Sequence, residues 1–155
     1  MNMTSHEAEQ TTEYVTVTIG DHLFGLPIFR VQDVFMPERL TRVPLAAPEF
    51  AGMLNLRGRI VTAVDMRLRL GLPPVEAGKA RMAIGIESKG ESYGLLIDAI
   101  GEVIKLSVGS LESNPVNLDA RLARVSAGVY RLDGNLLVVL DVDRVLDIGA
   151  HAEAA

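Results

Sequence analysis

The sequence predicts a mainly all-β protein built from two similar small barrels. Three observations predict this. Short strand-like segments are separated by turn signals, helical periodicity is scarce, and one block of sequence recurs in the second half. Strand pieces at short spacing suit a barrel or a sandwich, and the recurrence makes that unit double.

Residues 1–13 are polar with no apolar period, so a disordered N-terminal tail is expected there, and another at 149–155. Tyr14–Ile19 alternates, with Val15, Val17 and Ile19 on one face and Tyr14, Thr16 and Thr18 on the other. Gly20-Asp21 signals a turn, and His22–Ile28 reads as the return strand. Pro48–Met53 reads as one helical turn. Ile60–Val64 and Met82–Ile86 are short branched runs that suit strands buried on both faces. Asp133-Gly134 between apolar flanks signals a hairpin. Leu118–Val125 has a weak 3.6 period. A short helix over 142–147 is expected after the cap Asp141.

Phe24-Gly25-Leu26-Pro27-Ile28 reappears as Tyr93-Gly94-Leu95-Leu96-Ile97, so that Gly25 falls on Gly94, 69 residues on. At the same offset Val31 meets Ile100, Asp33 meets Glu102, Val34 meets Val103 and Phe35 meets Ile104. Gly58-Arg59-Ile60-Val61 then meets Gly134-Asn135-Leu136-Leu137, and Asp65 meets Asp141, 76 residues on. About seven residues are therefore inserted in the second half. A meander of this length is near the lower limit for an independent core, so the halves should bury apolar surface against each other. The expected division is a first barrel over about 14–75 and a second over about 80–140, broken at Gly71–Lys79 by Pro73-Pro74 and Gly78.

The 155 residues are 48% hydrophobic and 23% charged, which allows a real core. A net charge of −5 argues against nucleic-acid binding, which needs a clustered basic surface. With no cysteine, disulfides and thiolate zinc sites are excluded. The N-terminus lacks the basic and apolar regions of a secretory signal. The longest aliphatic run, Leu136–Leu140, is far short of the roughly 20 residues that span a bilayer. A soluble cytoplasmic protein without direct membrane insertion is expected.

Catalytic chemistry needs a nucleophile, a base or a metal held in a site. His6 and His151 lie in the tails, and His22 reads as a surface turn residue. No pair has chelating spacing, and no Gly-Lys-Ser/Thr triplet marks a phosphate loop. Asp65 and Asp98 each end a strand-like run, and paired carboxylates can do acid–base work. Asp98, however, falls on Phe29 in the repeat, and Asp65 aligns with Asp141 before short helical pieces. Helix capping is the expected role of Asp65. No catalytic residue, metal ligand or cofactor is assigned.

Two segments suit protein docking. Val31–Pro37 is apolar on both alternating faces. It is either a strand caught between the halves or a partly exposed strip for a helical partner, with Met36 able to adapt to its surface. Arg57, before the turn glycine Gly58, is either a solvated turn residue or a fixed guanidinium beside an apolar groove.

Asn55-Leu56-Arg57-Gly58-Arg59-Ile60-Val61-Thr62-Ala63-Val64-Asp65 resembles the signature of the CheW-like chemotaxis coupling proteins. Phe24–Val34, Thr41-Arg42-Val43-Pro44, Pro48–Gly52 and Gly94–Asp98 with Glu102-Val103 follow in the family order, from about Tyr14 to Ile148. The resemblance implies two packed SH3-like five-stranded β-barrels. It implies a non-catalytic adaptor that couples methyl-accepting chemoreceptors to the histidine kinase CheA, at arrays beneath the inner membrane. An adaptor for a pathway controlling pili or second-messenger output is the alternative. Carried over by position, the receptor-binding groove would include Val31, Asp33, Val34, Arg57, Gly58, Met82 and Val103. Asp33 stands where the family usually has Glu. Leu40, Thr41 and Arg42 would form the edge that meets the CheA regulatory domain.

Overall fold

The computed structural model describes residues 10–37, 40–41, 47–74 and 80–148. Strands β1 (Thr11–Ile19) and β2 (His22–Pro27) form a hairpin around Gly20, whose φ of +62° suits glycine. A 3-10 turn at Ile28–Arg30 leads to β3 (Asp33–Phe35). Then come β4 (Phe50–Leu56), β5 (Arg59–Asp65) and helix α1 (Met66–Arg69). The second half holds β6 (Met82–Ser88), β7 (Glu91–Ile97), β8 (Ala99–Ser107), helix α2 (Ala120–Val125), β9 (Ser126–Leu132), β10 (Asn135–Leu140) and helix α3 (Val142–Val145).

Local chemistry sets the helix starts. Asp65, Asp119 and Asp141 precede α1, α2 and α3, and their carboxylates accept the backbone N–H groups of Leu68, Arg121 and Arg144 at 3.2, 2.8 and 3.2 Å. The capping roles expected of Asp65 and Asp141 are met, although α3 ends at Val145 rather than at residue 147.

Two local expectations fail for tertiary reasons. Thr11–Glu13 is strand rather than tail, because it pairs with Lys105–Ser107 of β8. Pro48–Met53 is not helical. After a turn at Pro48-Glu49, β4 pairs with β5, and Gly52 sits at φ +149°, which no helix residue adopts.

The strands form two five-stranded sheets, β8-β1-β2-β10-β9 and β3-β6-β7-β5-β4. Each curls into a barrel. The segment after β3 returns to β4 through a Thr41–Met53 bridge, and the segment after β8 returns to β9 through Glu112–Val129. These bridges are repeat equivalents, as are Gly52 and Gly128 beside them. A Cβ on Gly52 would collide with the Thr41 carbonyl, and one on Gly128 would lie 2.9 Å from the Glu112 carbonyl.

The expected division at 14–75 and 80–140 does not match the sheets. The first sheet joins β1 and β2 of the first half to β8, β9 and β10 of the second, and the other sheet does the reverse. The halves have exchanged hairpins. The internal repeat is still exact in register: Gly25 pairs with Val139 in parallel β2 and β10, and Gly94 pairs with Ala63 in parallel β7 and β5.

The core has three parts. The largest lies between the barrels, where Val15, Val17, Ile19, Phe24 and Leu26 pack with Val64, Ile84, Ile86, Leu95 and Ile97. The second barrel is filled by Leu54, Val61, Ala63, Ala83 and Leu96, with Phe35 packed against them. The first is filled around Tyr14 and Tyr130, edge-to-face at 5.5 Å with their hydroxyls 3.2 Å apart. Burial pushes the Tyr130 hydroxyl far above the ordinary phenol range. Thus β1 is buried on both faces: its valines meet the other barrel, and Tyr14 fills its own.

Candidate docking surface

The β4–β5 hairpin turns on two residues, Arg57 at φ +52° and Gly58 at φ +84°. Two positive φ values make the primed turn that matches strand twist. Gly58 adopts it freely, but a left-handed conformation costs a residue with a side chain about 1–2 kcal/mol. Asn55 braces the turn, its side-chain oxygen accepting the Gly58 N–H at 3.0 Å. The Arg57 side chain is 81% exposed, with Nη1 3.4 Å from Oδ2 of Asp33, whose own side chain is 25% exposed.

Asp33 begins β3, the three-residue edge strand of the second sheet, and pairs with Gly85. A Cβ on Gly85 would stand 3.2 Å from the Asp33 Cβ, so that glycine leaves Asp33 its room. Asp33 Oδ1 also accepts the Val34 N–H at 2.9 Å. Along this strand Phe35 turns into the barrel while Val34 and Met36 are 42% and 60% exposed. The partly exposed reading of Val31–Pro37 therefore holds, and a charged residue guards the open edge.

The remaining groove positions are spread more widely. Val31 and Met82 are half-buried against the core between the barrels, Met82 pairing with Ile97. Val103, the repeat equivalent of Val34, is 49% exposed on β8, the edge strand of the other sheet.

On the other edge, Leu40 is exposed and Thr41 exchanges backbone hydrogen bonds with Met53 at 2.9 and 2.7 Å. Arg42 lies outside the described residues. Met53 and Ile60 belong to facing pairs of β4 and β5, Met53 with Thr62 and Ile60 with Asn55, and both project from the barrel, Ile60 59% exposed. Sequence reasoning missed this patch, because Ile60 reads as the start of a strand buried on both faces. The signal was its place beside the turn, where pairing is about to end.

The carboxylates weighed for acid–base chemistry have structural partners. Asp65 caps α1 and lies 3.2 Å from Arg81. Asp98 accepts Arg67 Nε at 3.0 Å and the Gly20 N–H at 2.8 Å, and the Arg67 guanidinium holds its carboxyl below the usual range. His22 is the first residue of β2 rather than a turn residue, half-buried with its ring 6.1 Å from Phe24. Among the described residues, no three His, Cys, Asp or Glu side chains are grouped to hold a metal.

Fold and surface together define a double-barrel β protein with exposed apolar edges and a braced arginine turn. Residues 13–149 match the model of the CheW-like domain, and the chain belongs to that family. It is similar to the chemotaxis protein CheW of Bacillus subtilis, 27% identical over 141 residues, 91% of this chain and 90% of that one. CheW of Helicobacter pylori is 24% identical over 138 residues, 89% of this chain and 83% of that protein. Protein PilI of Pseudomonas aeruginosa is 25% identical over 132 residues, 85% and 74% of the two chains. The crystal structure of the scaffolding protein TtCheW from Thermoanaerobacter tengcongensis superposes with a TM-score of 0.75 at 27% identity, covering 84% of this chain and 89% of that one.

Proposed function

We propose that this protein is a non-catalytic adaptor that couples the cytoplasmic tip of chemoreceptors to the histidine kinase CheA, in the cytoplasm beneath the receptor membrane. The observation that carries the reading is the Arg57 turn. The backbone of Arg57 is held at positive φ, and its exposed guanidinium pairs with Asp33, the residue before exposed Val34, which puts a charge at the end of the apolar β3 edge. Such a charge sets register and rejects wrong partners more than it adds affinity. In this reading the receptor's helical tip lies along Val31, Asp33, Val34, Arg57, Gly58, Met82 and Val103. The kinase regulatory domain meets Leu40, Thr41 and Arg42. Met53 and Ile60 widen that edge into an apolar patch of the kind that interface cores use.

The test is reconstitution of CheA with its cognate receptor, with and without this protein. Receptor-dependent autophosphorylation is expected only when it is present. Kinase activity indifferent to it would overturn the proposal. The likeness to PilI supports a second reading, an adaptor of a pathway that controls pili. Pull-down of the receptor set from the native cell separates the two.

A further inference from the structure

A cleft of about 750 Å³ opens where the three short helices meet the turn at Pro48-Glu49. Each helix sends it one arginine: Arg69 from α1, Arg124 from α2 and Arg144 from α3. Ile148 gives it an apolar wall, and Glu49 and Asp147 also line it.

Two of the arginines are anchored. Arg69 donates from Nε and Nη2 to the carbonyls of Val145 and Arg144 at 2.9 and 3.0 Å, which leaves Nη1 unused. Arg144 donates from Nη1 to the Ser126 carbonyl at 3.3 Å, with Nε 3.6 Å from Asp141, which leaves Nη2. The Arg124 side chain has no hydrogen bond or ion pair with any described residue. Glu49 and Asp147 form no ion pair with these arginines among the described residues either. The cleft therefore presents spare N–H donors from three separate elements, two of them held in place by backbone carbonyls.

We propose that this cleft binds a phosphate monoester, with Arg124 as the main ligand-contacting residue. Guanidinium groups arriving from three sides suit a tetrahedral anion with three terminal oxygens, whereas a planar carboxylate is satisfied by one. The cleft volume lies within the range of small-molecule sites, and the apolar lining from Ala47 and Pro48, backed by Ile148, can meet the organic part of the ligand. The cleft lining shares no residue with either docking edge proposed above, and the site stands or falls without them.

The phosphate can be carried by a soluble metabolite or by a lipid headgroup, so the experiment has two arms on the full chain. Adenosine 5′-monophosphate is titrated by calorimetry, and vesicles of phosphatidic acid in phosphatidylcholine are tested by co-sedimentation. Binding in either arm, weakened about tenfold by Arg124→Ala and partly kept by Arg124→Lys, supports the site. The arm that responds identifies the source. Arg124 is exposed, so Arg124→Ala should melt like the parent without ligand, and a melt of Arg124→Lys serves as a second control. Failure of both arms, binding untouched by Arg124→Ala, or equal binding of a glutamate-rich peptide would overturn the proposal.

Discussion

Arg57 and Asp33 meet across the mouth of the second barrel, guanidinium to carboxylate at 3.4 Å, though they lie 24 positions apart in the chain. One comes from the strained turn of an edge hairpin, and the other opens the edge strand on the far side of the sheet. Closure of the barrel through the Thr41–Met53 bridge puts them at the same mouth. An ion pair whose arginine is so exposed contributes little to stability, so its value has to be sought in binding.

Arg57→Ala should therefore abolish receptor pull-down and leave the thermal melt nearly unchanged. Arg57→Gly sharpens the test. It relieves a left-handed backbone strain of about 1–2 kcal/mol while adding unfolded-state entropy of roughly 0.5–1 kcal/mol. The glycine variant should be at least as stable as the parent and still fail to bind. Normal receptor binding by either variant would remove Arg57 from the docking surface.

The two edges should separate by mutation. Val34→Asp puts a charge on the exposed strip beside Asp33 and should weaken receptor binding more than kinase binding. Ile60→Asp, on the outer face of β5, should do the reverse, since both side chains are substantially exposed and neither fills a barrel. The two affinities can be read by calorimetry against a receptor-tip fragment and the CheA regulatory domain. Parallel losses in both variants would mean a single shared surface.

The Asp98–Arg67 pair should give a pH-dependent share of stability. Arg67 and the Gly20 N–H favour the charged carboxylate, so its folded pKa lies below the unfolded value of about 3.9. Its contribution is complete at neutral pH and fades as pH falls below about 4 through that lowered value. Asp98→Asn should cost about 1–3 kcal/mol at pH 7, because charged hydrogen bonds at a largely buried site are lost. Urea melts should show the gap between variant and parent closing in acid. A gap constant down to pH 2 would mean that packing, not charge, holds this junction.

Much of this was legible in the sequence because the responsible interactions are local. The Asp-Gly hairpin, the capping aspartates and the alternation of β1 depend on neighbours within a few residues. What could not be read depends on distant chain. Thr11–Glu13 has no apolar period and becomes strand only because β8 supplies its ladder. Within the candidate site, the pairing of Arg57 with Asp33 needed barrel closure, and the exposure of Ile60 needed the end of the sheet. The repeat revealed the symmetry between Gly25 and Gly94, yet symmetry alone does not say which hairpin pairs with which half.

That last ambiguity yields the strongest test of the architecture. A chain cut between the halves, near residues 75–80, separates fragments that each hold an intact sequence repeat. If each repeat were a barrel, each fragment would fold. In the observed topology the first fragment keeps β1 and β2 without β8 and β10, and keeps β3 and β5 without β6 and β7. Every central strand loses a partner, and the core between the barrels loses one side. Neither fragment of this size can replace that burial. Circular dichroism should show no cooperative melt for either fragment alone, and a native-like melt for the equimolar mixture. A fragment that melts cooperatively by itself would show that the hairpin exchange is dispensable for folding.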